Sequence, residues 1–116
     1  MHDTIIDTLQ KNIDNRHTLY IFTLVKRINW DNEKNIELKE TRGISFEIVT
    51  QYIEQGKILD ILEHPNKIKY SKQQIFVLNI NEYVYLVPFV EEKNEVFLKT
   101  IIPSRKATRN YLKEKK

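Results

Sequence analysis

Residues 99–112 read Lys-Thr-Ile-Ile-Pro-Ser-Arg-Lys-Ala-Thr-Arg-Asn-Tyr-Leu, and this stretch decides the fold because it carries an apolar strand through Pro103 into a basic helix. From residue 99 to the end there are seven Lys or Arg and one acid, Glu114, a charge of +6, whereas residues 1–98 sum to −3. A local cationic face of this kind indicates a polyanionic partner, although charged terminal helices are also common as plain solvated ends. Charge alone leaves both interpretations open.

The composition limits the kind of protein this is. A chain of 116 residues can bury one core without disulfides or metals. It has no Cys and only three dispersed His residues, so we predict no thiolate chemistry, no metal site and no cofactor. The apolar run at residues 19–25 is far shorter than the roughly 20 residues that span a bilayer, and no basic signal-peptide start precedes it. We therefore expect a cytoplasmic protein without membrane contact.

Periodicity and end signals predict four helices and five strands. Asp31 and Ser45 are the expected N-caps of the two central helices, and the dipeptide 81–82 predicts a tight hairpin. Pro88 lacks a backbone donor, so the strand that contains it is expected at a sheet edge or at a bulge. The predicted helices cover residues 3–13, 31–43, 45–56 and the segment from 105 onward; the predicted strands cover 19–30, 57–63, 74–80, 83–91 and 95–102.

These elements predict an α+β fold: an antiparallel β-meander of three to five strands with the helices packed on one face. Residues 26–116 form the expected single domain. Residues 1–25 are treated as an N-terminal extension to that domain.

The start of the last helix has the chemistry of a phosphate clamp. Ser104 is the expected cap, which leaves first-turn amides pointing outward. Arg105 and Arg109, four residues apart, share one helix face and can each bind two phosphate oxygens. Lys99 on the preceding strand and Lys106 flank the arginines.

A clamp of this kind suits metal-free cleavage of RNA, whose 2′-hydroxyl is an internal nucleophile that needs orientation and charge neutralisation. Possible proton-transfer groups are His64, Glu63, Glu95 and Tyr111. Each has an ordinary alternative: His64 precedes Pro65 at a strand end, where surface histidines are common, and Tyr111 suits the packing side of its helix.

Two aromatic residues are candidates for stacking on RNA bases. Tyr70 is the better one, because Lys67, Lys69 and Lys72 surround it in the sequence. That loop is equally compatible with plain solvated surface. Trp30 is more often a core residue than a stacking platform.

Three segments together resemble the BrnT family of type II toxin–antitoxin toxins. They are Trp-Asp at 30–31 with Lys34, Arg-Gly-Ile-Ser-Phe-Glu at 42–47, and Ile-Pro-Ser-Arg-Lys-Ala-Thr-Arg at 102–109. The resemblance spans about residues 26–112, and the run at 104–109 is its most specific part. The family's terminal motif falls on Arg105, Lys106, Thr108 and Arg109, and its early Trp and Lys fall on Trp30 and Lys34.

The resemblance implies a RelE-like ribonuclease fold and cleavage of mRNA, free or on the ribosome, that inhibits translation in a bacterial cell. It also implies neutralisation by a cognate antitoxin, typically a DNA-binding protein of the ribbon-helix-helix type. The residue chemistry and the resemblance together give the expected site. The expected catalytic residues are His64, Lys99, Arg105 and Arg109, and the expected RNA-binding residues are Trp30, Lys34, Lys69, Tyr70, Lys106 and Thr108; of these, His64, Lys99, Lys69 and Tyr70 come from the residue chemistry alone.

Two features depart from the family pattern. Arg42 stands where many relatives carry a His before the Gly. Residues 1–25 have no counterpart, so they are either an added element or the result of a start placed too early, with the true start at Leu24 or Val25.

Two other functions remain open: a non-enzymatic module that binds RNA or an acidic protein, and an accessory domain whose basic tail keeps it in solution.

Overall fold

The computed structural model describes residues 26–113, which contain a six-stranded sheet and three helices, so the predicted α+β class is confirmed. The helix predicted over 3–13, the first part of the strand predicted over 19–30 and the extension 1–25 lie outside the described residues. In chain order the elements are β1 (Arg27–Trp30), α1 (Asn32–Arg42), α2 (Phe46–Glu54), β2 (Ile58–Glu63), β3 (Gln73–Ile80), β4 (Tyr83–Glu91), β5 (Glu95–Leu98), β6 (Ile102–Pro103) and α3 (Arg105–Leu112).

The ends of α1 and α2 lie where the capping residues predict. Asp31 accepts a hydrogen bond from the amide of Glu33, and Gly43 follows α1 with a left-handed φ of 66° that an L side chain adopts only with strain. Ser45 caps α2 by accepting from the amide of Ile48 at 3.3 Å. Local backbone chemistry therefore fixes both helix starts.

Asn35 connects the two helices. It is 1% exposed, its Oδ1 accepts the N–H of Phe46 at 2.8 Å, and its Nδ2 donates to Oε1 of Glu47 at 2.9 Å. This buried amide therefore links α1 to the start of α2 and satisfies a helix-start N–H in the interior.

The sheet is mixed rather than wholly antiparallel. Its strand order is β1-β5-β4-β3-β2, with β6 paired to β4, and the sheet is open. Strands β2 to β5 pair with their sequence neighbours in antiparallel fashion, but β1 pairs in parallel with β5. The predicted antiparallel pairing holds for the four consecutive strands β2 to β5. The sheet as a whole departs from the prediction, because β1 lies parallel beside β5 and the two-residue β6 adds a sixth strand.

Pro88 lies in the sheet interior and not at an edge. Strand β4 has β3 on one side and β5 and β6 on the other. The carbonyl of Pro88 accepts a hydrogen bond from the amide of Lys99, which lies in the break between β5 and β6. The nitrogen and the carbonyl of one residue face the same neighbouring strand, so the Pro88 nitrogen also faces this break. No ladder donor is needed at that break, which is why a proline is tolerated in a central strand.

Helices cover both faces of the sheet. Phe76 of β3 stacks on Phe89 of β4 with ring centroids 3.9 Å apart, on the face that packs against Phe46 of α2. The alternate residue Val77 points to the opposite face and pairs with Asp60, which accepts a hydrogen bond from Tyr111 of α3. The prediction of helices on one face is therefore wrong. The unbroken run of buried residues from Ile75 to Leu78 is the expected signature of a strand covered on both sides.

Across residues 26–113 no helix combines the length and apolar character that crossing a membrane requires.

Candidate nucleic-acid interface

The start of α3 is fixed to the beginning of β4 by a closed set of hydrogen bonds. The amide of Ser104 donates to the carbonyl of Val84 at 3.0 Å, and Thr108 Oγ1 accepts the amide of Val84 at 2.8 Å. The Thr108 hydroxyl also donates to the carbonyl of Ser104 at 2.7 Å. Ser104 Oγ caps the helix by accepting from the amide of Ala107 at 3.0 Å, as the sequence predicts.

The far end of α3 is fixed to β2. The hydroxyl of Tyr111 donates to Oδ2 of Asp60 at 2.8 Å. Tyr111 is therefore a docking residue, in agreement with the packing interpretation of its sequence position. Held at both ends, α3 has one side against the sheet and the opposite side in solvent.

The solvent side of α3 carries Arg105, Lys106 and Arg109, all exposed. Ion pairs within residues 26–113 involve other cations, at Lys26, Lys34, Lys39 and Lys67. Within this part of the chain the three cations of α3 have no carboxylate at ion-pair distance. Their charge is thus available to an external anion, and Arg presents a planar group that matches phosphate oxygens.

Arg109 shares an open cleft of about 340 Å³ with Glu82. Thr108, Leu112 and Lys113 form the rest of its lining. The cleft thus brings a carboxylate and a guanidinium to one place beside the exposed helix face, a combination that can accept a proton and neutralise a phosphate.

Sequence reasoning missed Glu82 as a site residue. It occupies the second central position of the hairpin turn, with φ of 67°, after Asn81 with φ of 56°. Asn tolerates this left-handed conformation, and Gly is the usual residue at the second position. A Glu where Gly is favoured is uncommon, and such backbone strain clusters at functional sites. A Glu at the turn position where Gly is usual is therefore the sequence feature that points to Glu82 as a candidate site residue.

His64 lies away from the arginines. Its amide donates to the carbonyl of Gln73, which pairs with Val90 of β4, whereas Ser104 bonds Val84. Six residues of strand separate Val84 from Val90, a distance of about 20 Å. The structure therefore does not assemble His64 with Arg105 and Arg109 in one site.

The His64 ring is also arranged as a donor. Its Nδ1 accepts the amide of Asn66 at 3.1 Å, so the neutral ring carries its proton on Nε2. The Nδ1 side of the ring is thus engaged by the backbone of its own loop.

The remaining predicted residues have distinct surroundings. Lys99 is exposed, and its Nζ lies 5.3 Å from the ring centroid of Phe97. Its amide donates to the carbonyl of Pro88. Pro88 is four residues along β4 from Val84, a distance of about 13 Å. It lies near the clamp without joining the Arg109 cleft. Lys69 and Tyr70 lie beside His64, with Lys69 Nζ 5.2 Å from the Tyr70 ring centroid.

Residues matched through the early family motifs have structural contacts. Trp30 stacks on Phe46 with centroids 5.6 Å apart and packs against the core. Lys34 lies 3.7 Å from Oε1 of Glu37. Arg42, in the position of the family's His, donates from Nη1 to the carbonyl of Ile101. These contacts place Trp30 and Arg42 in the framework of the domain.

Residues 26–113 contain no cluster of three or more His, Asp or Glu side chains placed to hold a metal ion.

Comparisons with protein-family models, curated proteins and solved structures found no match to this chain.

Proposed function

We propose that this chain is a metal-independent endoribonuclease that binds RNA on the exposed side of α3. The observation that carries the proposal is the set of three exposed cations, Arg105, Lys106 and Arg109, with no carboxylate partner among the described residues, on a helix fixed at both ends. A fixed helix holds the backbone from which these side chains extend, so RNA binding does not have to order the helix itself.

The proposed reaction is attack of the RNA 2′-hydroxyl on the adjacent phosphorus. Glu82 accepts the 2′-hydroxyl proton, the 2′-oxygen bonds to phosphorus, and Arg109 and Arg105 stabilise the negative charge that develops on the phosphoryl oxygens. The bond to the 5′-oxygen then breaks, and that oxygen takes a proton from water. The hydroxide that remains removes the proton from Glu82 and restores its carboxylate. The products are a cyclic 2′,3′-phosphate and a 5′-hydroxyl.

The resemblance to BrnT toxins supports a biological setting for this reaction. We propose a bacterial, cytoplasmic toxin of RelE-like fold that cleaves mRNA, slows translation and is neutralised by a cognate DNA-binding antitoxin. The cheapest test is the neighbouring gene: a small adjacent reading frame for a ribbon-helix-helix protein supports this setting, and its absence from the locus counts against it.

The enzymatic proposal is tested with purified protein and RNA, with and without ribosomes, in the presence of a chelator. We expect cleavage that resists the chelator and leaves cyclic phosphate ends. Arg105→Ala should abolish cleavage and relieve growth arrest while the protein stays folded. Arg27→Ala, which removes an exposed arginine on β1, is the matched control and should remain active. Full toxicity of folded Arg105→Ala would contradict the site assignment.

One observation favours the second candidate, a non-enzymatic RNA-binding module. His64 lies beside the Val90 end of β4, about 20 Å along that strand from Val84, where α3 is attached. Proton transfer at the clamp therefore depends on the exposed Glu82. RNA binding at physiological salt without cleavage, both with and without ribosomes, would favour this module over the enzyme.

A further inference from the structure

The loop formed by residues 64–72, between β2 and β3, is held in one shape by its own hydrogen bonds. Asn66 is its centre: its amide donates to His64 Nδ1, its side-chain Oδ1 accepts the amide of Lys69, and its carbonyl accepts the amide of Tyr70 at 2.9 Å. The amide of Gln73 then donates to the carbonyl of Tyr70 at 3.0 Å. A polar surface loop with this many internal bonds presents its side chains in fixed positions.

Loop 64–72 places two aromatic rings together at the surface. The rings of His64 and Tyr70 have centroids 4.3 Å apart and planes inclined by 34°. Neither residue belongs to the hydrophobic core cluster or to the partly buried residues packed against it. An aromatic pair on a polar loop, outside the core, is a platform on which a planar group can stack.

A cleft of about 320 Å³ adjoins these rings. Its size is at the lower end of the range found for pockets that hold small ligands, which suits a single nucleotide. Its walls supply hydrogen-bonding groups that can read a base edge: the lining includes Glu63, Ser71, Gln73 and Gln74. The imidazole of His64 also lines this cleft.

The loop is also cationic. Lys67 is paired with Glu63, but Lys69 and Lys72 have no carboxylate at ion-pair distance among residues 26–113. Lys69 lies over the Tyr70 ring, so a positive charge and an aromatic face occur at the same point. Basic side chains interleaved with aromatic ones are the pattern by which proteins hold single-stranded RNA.

We propose that loop 64–72 is a second RNA contact that binds one unpaired nucleotide. The base stacks on the Tyr70 and His64 pair, the polar cleft walls contact its edge, and Lys69 and Lys72 bind the flanking phosphates. The substrate class is therefore single-stranded RNA, because a base inside a duplex cannot reach a stacking platform. The loop lies about 20 Å from the start of α3, so one strand can contact both sites.

The choice of RNA as the ligand rests on the proposed function, whereas the site itself is argued from the contacts of loop 64–72. The test is fluorescence anisotropy of the full chain with a labelled single-stranded RNA of about 12 nucleotides, a length within known single-strand site sizes, and with the same sequence as a duplex. Tyr70→Leu should weaken single-strand binding by about 10-fold, the usual effect of losing one base–aromatic contact, and leave duplex binding unchanged.

The controls come from a similar pair elsewhere in the chain. Lys57 Nζ lies 5.5 Å from the ring centroid of Tyr52, so Tyr52→Leu and Lys57→Gln remove the same chemistry away from the loop. Both should bind RNA like the parent. Should Tyr70→Leu fail to fold, the double variant Lys69→Gln/Lys72→Gln replaces it, because both lysines are exposed, and it should also weaken single-strand binding.

The two proposals fail separately. Parent-like single-strand affinity in the folded loop variants would overturn the loop site and leave the α3 clamp standing. Parent-like affinity in an Arg105→Gln/Arg109→Gln variant, with loss in the loop variants, would overturn the clamp and support the loop. Equal losses for single strand and duplex in Tyr70→Leu would show that no base stacks on the loop, and would overturn the proposal.

Discussion

Thr108 Oγ1 accepts the amide of Val84 at 2.8 Å while its own proton is donated to the carbonyl of Ser104 at 2.7 Å. The single donor of the hydroxyl and one of its two acceptor positions are thus engaged within the protein. Thr108 holds α3 on the sheet; its contact with RNA, expected from the family resemblance, stays a prediction. The cations of α3 owe their position to this contact.

Thr108→Val should destabilise the protein by about 1–2 kcal/mol, because the amide of Val84 loses its acceptor in a part-buried position. Urea unfolding followed by circular dichroism measures the change. The control is Thr41→Val: the Thr41 hydroxyl donates to a carbonyl on an exposed helix, and its loss should change stability by less than about 0.5 kcal/mol. Equal stability of the two variants would show that Thr108 does not hold the helix.

Substitutions of Glu82 should separate its effect on stability from its effect on RNA cleavage. Glu82→Gly relieves the left-handed strain and should stabilise the protein by about 1 kcal/mol, whereas Glu82→Gln keeps the strain and should leave stability nearly unchanged. Both changes remove the carboxylate, so both should lower RNA cleavage to a similar extent. Thermal melting and single-turnover cleavage measure the two effects. An active Glu82→Gln variant would rule out the proposed base.

Asn35→Ala should destabilise the protein by about 2 kcal/mol, because the amide of Phe46 loses its acceptor in the interior. Asn32→Ala, at an exposed position in the same helix, is the control and should have little effect. Denaturant unfolding at neutral pH provides the comparison. A loss for Asn35→Ala no larger than that for Asn32→Ala would mean that the buried amide does not connect the helices.

The same contact predicts a pH dependence. The hydrogen bond from Asn35 holds the pKa of Glu47 below its usual value of 4.5, with partial burial opposing this shift and Lys39 assisting it. A lowered carboxyl pKa contributes stability that is present above the unfolded-state pKa and is lost as pH falls through the folded-state pKa. Stability of the parent should decline over that acidic window. In Asn35→Ala the decline should be smaller; an unchanged pH profile would contradict the assignment.

The features that the sequence predicts well are local ones. Asp31, Ser45 and Ser104 cap their helices because each hydroxyl or carboxylate needs only amides two or three residues ahead. The turn at residues 81–82 follows from two apolar strands separated by two polar residues. Such interactions depend on neighbours in sequence, so their residue types reveal them.

The features that the sequence does not reveal are those that depend on sheet order. The direction of β1 beside β5 has no residue signature, and the place of Pro88 depends on a break between two neighbouring strands. His64 and Arg105 were grouped by chemistry, but strand register separates them. Glu82 and Arg109 line one cleft only because the hairpin end lies beside α3. Each of these facts is a long-range relationship.

The central claim is that Arg105 and Arg109 bind the RNA backbone, and the dependence of RNA affinity on salt concentration tests it most directly. Each phosphate contact with single-stranded RNA contributes about 0.7 to the slope of log affinity against log salt, so Arg105→Gln/Arg109→Gln should reduce that slope by about 1.4. The double variant Arg27→Gln/Lys93→Gln removes the same net charge elsewhere and should keep the parent slope. A parent slope in the folded α3 variant would contradict the claim.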